Sequence, residues 1–391
     1  MQITDVHKKE FGCAPQVVAS APDRFHLIGD HSWFFKDKTL SLAIDLPVLV
    51  SVSRRGDEFF HYYWLEKDDR KKTNILPMKV KKDDRWANVI KSVVYGFGAM
   101  GAEIPGLDFT VSARVSASLA LGRTNALKVA AACAINAVLS LGFSDRELVS
   151  AIEAGTREFL KEESRLADLY AAICAQQGSF VVTDYATEGF EVLPFDFSGK
   201  SIVMIETKVP RFDGWRESSL HESEYALLMG DLKKRKNGAF GGWVYNENVA
   251  DIHETLASCG EKNIRKLIAL IREHRSVLEA RDGIIAGQFG AFARAVNFSH
   301  ENMRDYYEMS SPEVDWILKR ILSISPNIAD VRNPFACGRI NDTASFRCVY
   351  AFVPTEDIPE MERKFTEFER IFGFKIKYAT VSSSGGARIV S

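Results

Sequence analysis

Ala21-Pro22-Asp23-Arg24-Phe25-His26-Leu27-Ile28-Gly29-Asp30-His31 is the stretch on which the reading of this chain turns. Phe25, Leu27 and Ile28 form a short apolar run that ends at Gly29, the pattern of a buried strand giving way to a turn. The same run carries a cation, an acid and an imidazole, Arg24, Asp30 and His31, toward that turn. A strand holds such groups firmly, so they can offer fixed hydrogen-bonding partners to a polyhydroxylated ligand or to an anion being transferred. An N-terminal strand followed by a solvated turn would read the same way, and the rest of the chain has to separate the two.

With 391 residues the chain is long enough for two domains of ordinary size, and a boundary near residue 200 divides it into 1–200 and 201–391. Fifty Lys and Arg stand against 52 Asp and Glu, a balance that argues against a nucleic-acid tract or a membrane-surface patch. The run Lys233-Lys234-Arg235-Lys236 reads as a solvated helix end. Six cysteines (Cys13, Cys133, Cys174, Cys259, Cys337, Cys348) are scattered, with neither zinc-site pairing nor the density of a disulfide scaffold, which points to a reducing cytoplasm and to no bound metal. The start of the chain lacks a charged-then-apolar leader, and no window reaches about 18 uninterrupted apolar residues. The expectation is neither secretion nor membrane spanning.

Strands are expected at 41–44 and 48–52, on either side of Pro47, and at 59–64 with one face exposed. Trp86, Val89, Ile90, Val93, Val94 and Phe97 have helical spacing, a strand follows over 107–115, and a helix over 125–141. Ser144 and Glu147 have the spacing of a capping box ahead of Leu148 and Ile152. A helix over 166–177 leads through Gly178 to a strand at 179–184, and a further strand follows at 201–207. Beyond residue 215 helix dominates, over 222–234, 261–270, 281–298 and 312–322. The chain then closes on a strand, a helix at 358–372 and a last strand. Strands early, helices in the middle and a strand-helix-strand unit at the end describe an α+β protein.

The opening stretch resembles the signature of galactokinases, members of the superfamily of galactose, homoserine, mevalonate and phosphomevalonate (GHMP) kinases, which reads Ala-Pro-Gly-Arg-Val-Asn-Leu-Ile-Gly-Glu-His-Thr-Asp-Tyr. Here Asp23 replaces the Gly, Asp30 the Glu and Trp33 the sugar-binding Asp. The resemblance extends from Ala21 to the closing Ser384-Gly385-Gly386-Ala387-Arg388. It implies the two-domain GHMP kinase fold: an N-terminal domain like domain 2 of ribosomal protein S5, an α/β C-terminal domain, and a site in the cleft between them. Ser164-Arg165-Leu166-Ala167-Asp168-Leu169 is similar to the stretch holding Gly-Ile-Met-Asp-Gln, which places Asp168 at the catalytic acid. The resemblance then implies that Asp168 accepts or orients the proton of the sugar's anomeric hydroxyl, while Arg24 lowers the carboxyl pKa and steadies the moving phosphoryl group. Asp30, His31 and Trp33 fall among the sugar contacts, and Tyr225, in Glu222-Ser223-Glu224-Tyr225, aligns with a tyrosine whose ring and hydroxyl suit a sugar. The run from Ser299 to Asp315 resembles Ser-His-x-Ser-Leu-Arg-Asp-x-Tyr-Glu-Val-Ser-x-Pro-Glu-Leu-Asp and is read as helix-and-turn architecture with Pro312 at a helix start.

The nucleotide side departs from the family. The superfamily cradles triphosphate on Gly-Leu-Ser-Ser-Ser-Ala-Ala-Leu at a helix N-terminus, where small residues let backbone N–H groups and hydroxyls reach phosphate and magnesium. Here the segment reads Ala120-Leu121-Gly122-Arg123-Thr124-Asn125-Ala126-Leu127, which keeps the Thr124 hydroxyl, places Gly122 out of pattern and sets Arg123 where a small Ser belongs. The second glycine-rich loop has become Arg339-Ile340-Asn341-Asp342-Thr343-Ala344-Ser345-Phe346-Arg347-Cys348, without a glycine. Each lost positive-φ glycine costs on the order of 1 kcal/mol and adds bulk against a ligand. Three readings stay open. The first is a galactose-type sugar binder with weak or no phosphotransfer, a pseudokinase with a protein partner if its role is regulatory. The second is an active sugar-1-kinase using ATP and Mg2+, and the third a structural or interaction protein with no ligand.

Overall fold

A strand of twelve residues, β1 (Val17–Ile28), runs through the stretch quoted above, and all but its first residue are buried. The computed structural model that contains it describes residues 2–113, 122–210, 261–324, 333–341 and 346–391. The chain divides into two compact units, Met1–Phe25 with Ser41–Val181 and Ser383–Ser391, and His26–Leu40 with Val182–Ser382. Against the simple halves 1–200 and 201–391, these units are interleaved in sequence. Both β1 and the next strand, β2 (Lys38–Arg54), begin in one unit and end in the other.

In the first unit, helix α1 (Ile3–Phe11) precedes a sheet built from β1, β2, β3 (Phe59–Trp64), β4 (Asp69–Asn74), β5 (Leu107–Ser112) and, at the C-terminus, β12 (Arg388–Ile389). Their order is β12-β1-β2-β5-β3-β4. β3 pairs parallel with β5, whereas β2 pairs antiparallel with β5 from Leu49↔Ser112 to Arg54↔Leu107. Two expected strands around Pro47 are therefore one. Proline removes a ladder donor, but Pro47 is exposed and lies ahead of the paired run with β5, so the strand passes through it. β3 is more buried than a one-sided strand, with Phe60, Tyr62, Tyr63 and Trp64 all inside.

Among the described residues this unit also holds α2 (Ala87–Ala99), α3 (Arg123–Leu139), α4 (Asp145–Ala154) and α5 (Leu166–Cys174). The capping box forms, with Ser144 and Glu147 each bonding the other's backbone. A π-helical turn, Gly155–Leu160, extends α4. α2 lies so close to this helical stretch that a Cβ on Gly96 would stand 1.8 Å from the Ala151 carbonyl oxygen, and one on Gly155 1.8 Å from that of Ser92. Only hydrogen fits at that crossing.

The second unit has a four-stranded antiparallel sheet in the order β11-β8-β10-β9, made by β8 (Lys200–Pro210), β9 (Cys337–Asn341), β10 (Phe346–Pro354) and β11 (Lys377–Val381). β7 (Gly189–Pro194) pairs with β6 (Ser179–Asp184), whose second half belongs here. Among the described residues, helices α6 (Glu261–Ile285), α7 (Phe289–Asp305), α8 (Pro312–Leu322) and α9 (Ile358–Phe372) join the sheet in a core that includes Val203, Ile205, Ile271, Met303, Val349 and Phe368. Pro312 opens α8 as expected. The helix expected over 281–298 is instead the end of one helix and the start of the next. Gly287 adopts φ 65° between them, and its N–H closes the turn on the Ile284 carbonyl. The helix expected over 222–234 lies outside the described residues. Among the described residues no helix is long and apolar enough to cross a membrane.

Candidate functional site

β1 delivers Arg24 to the first turn of α5, where Asp168 sits. The Arg24 Nη2 and Asp168 Oδ1 atoms are 2.6 Å apart, with side chains 4% and 7% exposed. The backbone N–H of Asp168 donates to the Arg165 carbonyl at 3.0 Å, which holds the turn that presents the carboxylate. Its second oxygen, Oδ2, accepts from the side-chain amide of Asn125 at 2.5 Å. The two residues singled out as a catalytic pair are thus in contact, and α3 contributes a third residue that the sequence reading passed over. Asn125 stands where a small residue is the family habit, and that polar substitution was the available signal.

The head of α3 meets β1 through a contact at Gly122. Gly122 is its N-cap and has no capping side chain. Its N–H donates to Asp23 Oδ1 at 2.6 Å, and the same oxygen accepts the Arg24 N–H at 2.7 Å. Asp23 is 1% exposed. Burial drives its carboxyl up to about 6, against the opposing pull of Arg24, the two N–H donors and Arg123. Arg123, half-buried in the first turn, lies 5.9 Å from the centre of the Trp64 ring, and Thr124 beside it is exposed. One turn further on, Lys128 is buried and donates to the Thr156 hydroxyl at 3.1 Å. Burial lowers its pKa, while Glu162 and Asp168 pull the other way.

A second group of polar side chains belongs to the other unit. Asp30, just past β1, pairs through Oδ2 with Arg339 Nη1 at 2.7 Å, and Arg339 is wholly buried. Arg339 Nη2 meets Glu273 Oε1 at 3.0 Å, and Nε donates to the Ser299 hydroxyl at 2.7 Å. Glu273 also accepts from the Gly29 N–H at 2.9 Å, from Ser299 and from the Asn302 amide. Burial works to raise the Asp30 carboxyl, but Arg339, with His26 and His31, outweighs it and holds the group below its ordinary value. Burial likewise disfavours the Arg339 cation, and Asp30 and Glu273 more than offset it. His31 stacks on Tyr307 with ring centroids 5.4 Å apart. Trp33 is half-buried in the short 3-10 turn Ser32–Phe35. Two residues beyond that turn, Asp37 meets His274 Nδ1 at 2.8 Å, a contact no local pattern announces. Tyr225 lies outside the described residues, as does the Asp342–Ser345 part of the second loop.

Comparison with known proteins adds relatives. The galactokinase galactose-binding signature matches residues 5–54. A protein of Treponema pallidum (strain Nichols) named "Putative galactokinase" is 34% identical over 390 residues, which cover 100% of this chain and 96% of that one. The galactokinase of Glaesserella parasuis is 22% identical over 387 residues, 98% of this chain and 97% of its own. Among solved structures, Lactococcus lactis galactokinase complexed with galactose superposes with a TM-score of 0.84 at 16% identity, covering 99% of this chain and 98% of that one. Methanococcus jannaschii mevalonate kinase gives 0.63 at 12% identity, with 94% and 98% covered.

Proposed function

We propose that this chain, which belongs to the galactokinase family within the GHMP kinase superfamily, binds a galactose-type sugar in a reducing cytoplasm and carries out little or no ATP-dependent phosphotransfer. The observation that carries the reading is a contrast inside one unit. The acid–arginine pair Asp168 and Arg24 is assembled and buried, whereas the head of α3 is occupied by the chain's own charged groups. In this reading Asp168 receives the anomeric hydroxyl, its carboxylate oriented by Arg24 and Asn125. Asp30, His31, Trp33 and Tyr225 contact the sugar.

A magnesium-bound triphosphate needs unoccupied N–H donors at a helix head and an acid with an oxygen to spare. One of the four N–H donors at the head of α3, that of Gly122, is taken by Asp23, and the Asp168 oxygens are engaged by Arg24 and Asn125. In this reading Gly122, Arg123 and Thr124 do not hold a magnesium-bound triphosphate. The intact Arg24–Asp168 pair is what favours the second reading, an active sugar-1-kinase.

Titration calorimetry with a panel of hexoses, run beside a coupled ADP-release assay, separates them. The expected result is heat from galactose or a close relative, with ADP release no faster than in Asp168→Asn. Turnover that disappears in Asp168→Asn would establish the active kinase, and a chain giving heat with no sugar would be an interaction protein.

A further inference from the structure

The positive groups at the head of α3 already hold an anion, and it is part of the chain. Asp23 reaches from β1 to place Oδ1 on the Gly122 N–H, at 2.6 Å, and on the Arg24 N–H, at 2.7 Å. A 17-residue helix with no capping side chain of its own thus has one of its four free head N–H groups satisfied from a strand 99 positions earlier in sequence. The fit is close: a Cβ on residue 122 would lie 2.7 Å from Asp23 Oδ1 and 3.2 Å from the Arg24 guanidinium carbon.

Around this contact the polar groups are only partly satisfied. Among the described residues, Asp23 Oδ2 has no hydrogen-bond partner, and neither have Arg24 Nε and Nη1, although Asp23 is 1% and Arg24 4% exposed. Buried donors on a cation are costly to leave unpaired, so they are expected where an anion once sat or can sit. Among the described residues, the nearest anion to feel the Arg24 charge besides Asp168 is the Asp23 carboxylate, which that charge pulls toward ionisation without a direct ion pair. Such a group takes the helix-head donor and the neighbouring positive charge, and it repels a second anion at the same spot.

We propose that Asp23 is a specificity-determining residue, a built-in anion that takes the Gly122 N–H and the field of Arg24 and so excludes the terminal phosphates of a nucleoside triphosphate. The proposal rests on the reading of this helix head as the family's nucleotide side. It goes further in assigning the loss to one removable carboxylate rather than to the altered loops as a whole. Asp23→Gly removes both the charge and its bulk, and glycine is also the residue found here in the family signature. Asp23→Asn removes only the charge while keeping an acceptor for both N–H groups, so it stays folded should the glycine variant not.

Calorimetry on the full chain would use sodium tripolyphosphate, ATP with Mg2+, and galactose, each titrated separately at pH 7.5 and fixed ionic strength. Tripolyphosphate and ATP-Mg2+ are expected to bind at least tenfold more tightly to Asp23→Gly than to the unaltered protein, with Asp23→Asn in between and the galactose Kd unchanged within twofold. Equal polyphosphate affinity in all three proteins, tight or weak, overturns the proposal. A gain in Asp23→Gly that galactose binding shares in equal measure also overturns it, since that is general loosening. Absence of galactose heat throughout would strike the sugar-binding reading alone, because the comparison of phosphate affinities does not depend on it.

Discussion

Replacing Asp23 by Asn tests the energetics of that buried carboxylate through the stability of the whole fold. An aspartate has a carboxyl pKa of 3.8 when exposed, and burial brings Asp23 to about 6 in the folded chain. Between those values the folded state binds a proton that the unfolded state does not, so stability falls as pH rises from about 4 to about 6 and is then level. A difference of about two pKa units corresponds to roughly 3 kcal/mol at 1.36 kcal/mol per unit, a cost present above pH 6 and relieved on acidification. Asparagine does not titrate and still offers an oxygen to Gly122 and Arg24. Its NH2 group replaces Oδ2, which has no partner, and that adds a pH-independent penalty of about 1–3 kcal/mol.

The diagnostic quantity is therefore the slope of the difference between the two proteins. Urea unfolding of both at half-unit steps from pH 4.5 to 8 should show Asp23→Asn gaining on the unaltered chain by about 2 kcal/mol across the window, most of it between pH 5 and 6.5. Every other carboxylate titrates in both proteins and cancels. Two parallel stability curves would refute the reasoning, because they would mean that the carboxylate is ionised as easily inside as outside. A variant that loses ground as pH rises would refute it more sharply, by showing that Arg24 and Arg123 dominate burial.

Arg24→Met leaves Asp168 buried without its cation and should lower unfolding free energy by about 3–5 kcal/mol in urea at pH 7, whereas a loss under about 1 kcal/mol would mean that water screens the pair. Arg339→Met strands both Asp30 and Glu273 in the other unit, so a loss of at least about 3–5 kcal/mol is expected, and an unchanged midpoint would contradict the network described. Gly96→Ala drives a methyl group onto the Ala151 carbonyl and should cost about 1–3 kcal/mol in the same measurement. Its control, Gly98→Ala two residues on, meets nothing within 4 Å and should be neutral or stabilising by up to about 1 kcal/mol, so the reverse order would discredit the crossing. Trp33→Ala should weaken galactose binding by about two- to tenfold in calorimetry if the ring stacks on the sugar, and leave it unchanged if it does not.

Much of the fold was legible because its signals are local. The apolar run of β1, the Ser144–Glu147 cap and the proline that starts α8 each declare themselves within a few residues. Reading went astray where a local rule met a tertiary circumstance. Pro47 marks a break between two short strands by the donor it lacks, yet β2 runs through it, exposed and ahead of the run paired with β5. The apolar spacing over 281–298 continues past Gly287, while the positive φ that separates two helices there is a property of the folded backbone. For the site, motif resemblance names Arg24 and Asp168, and in the structure the two are in contact. Asn125, Glu273 and the Asp37–His274 pair escaped, since nothing in their neighbours says which distant group they will meet.

From the order of its amino acids alone, this chain declared an α+β architecture, written in periodicity, and a galactokinase-like frame, carried by motifs that resemble that family's. Only the folded chain decided that the carboxylate of Asp23 would sit on the Gly122 N–H, and that Arg339 would lie between Asp30 and Glu273, 309 and 66 positions away. The reason is that charge state and donor occupancy depend on burial and on partners from remote segments. Those quantities come into being only when strands and helices have packed and water has left the space between them.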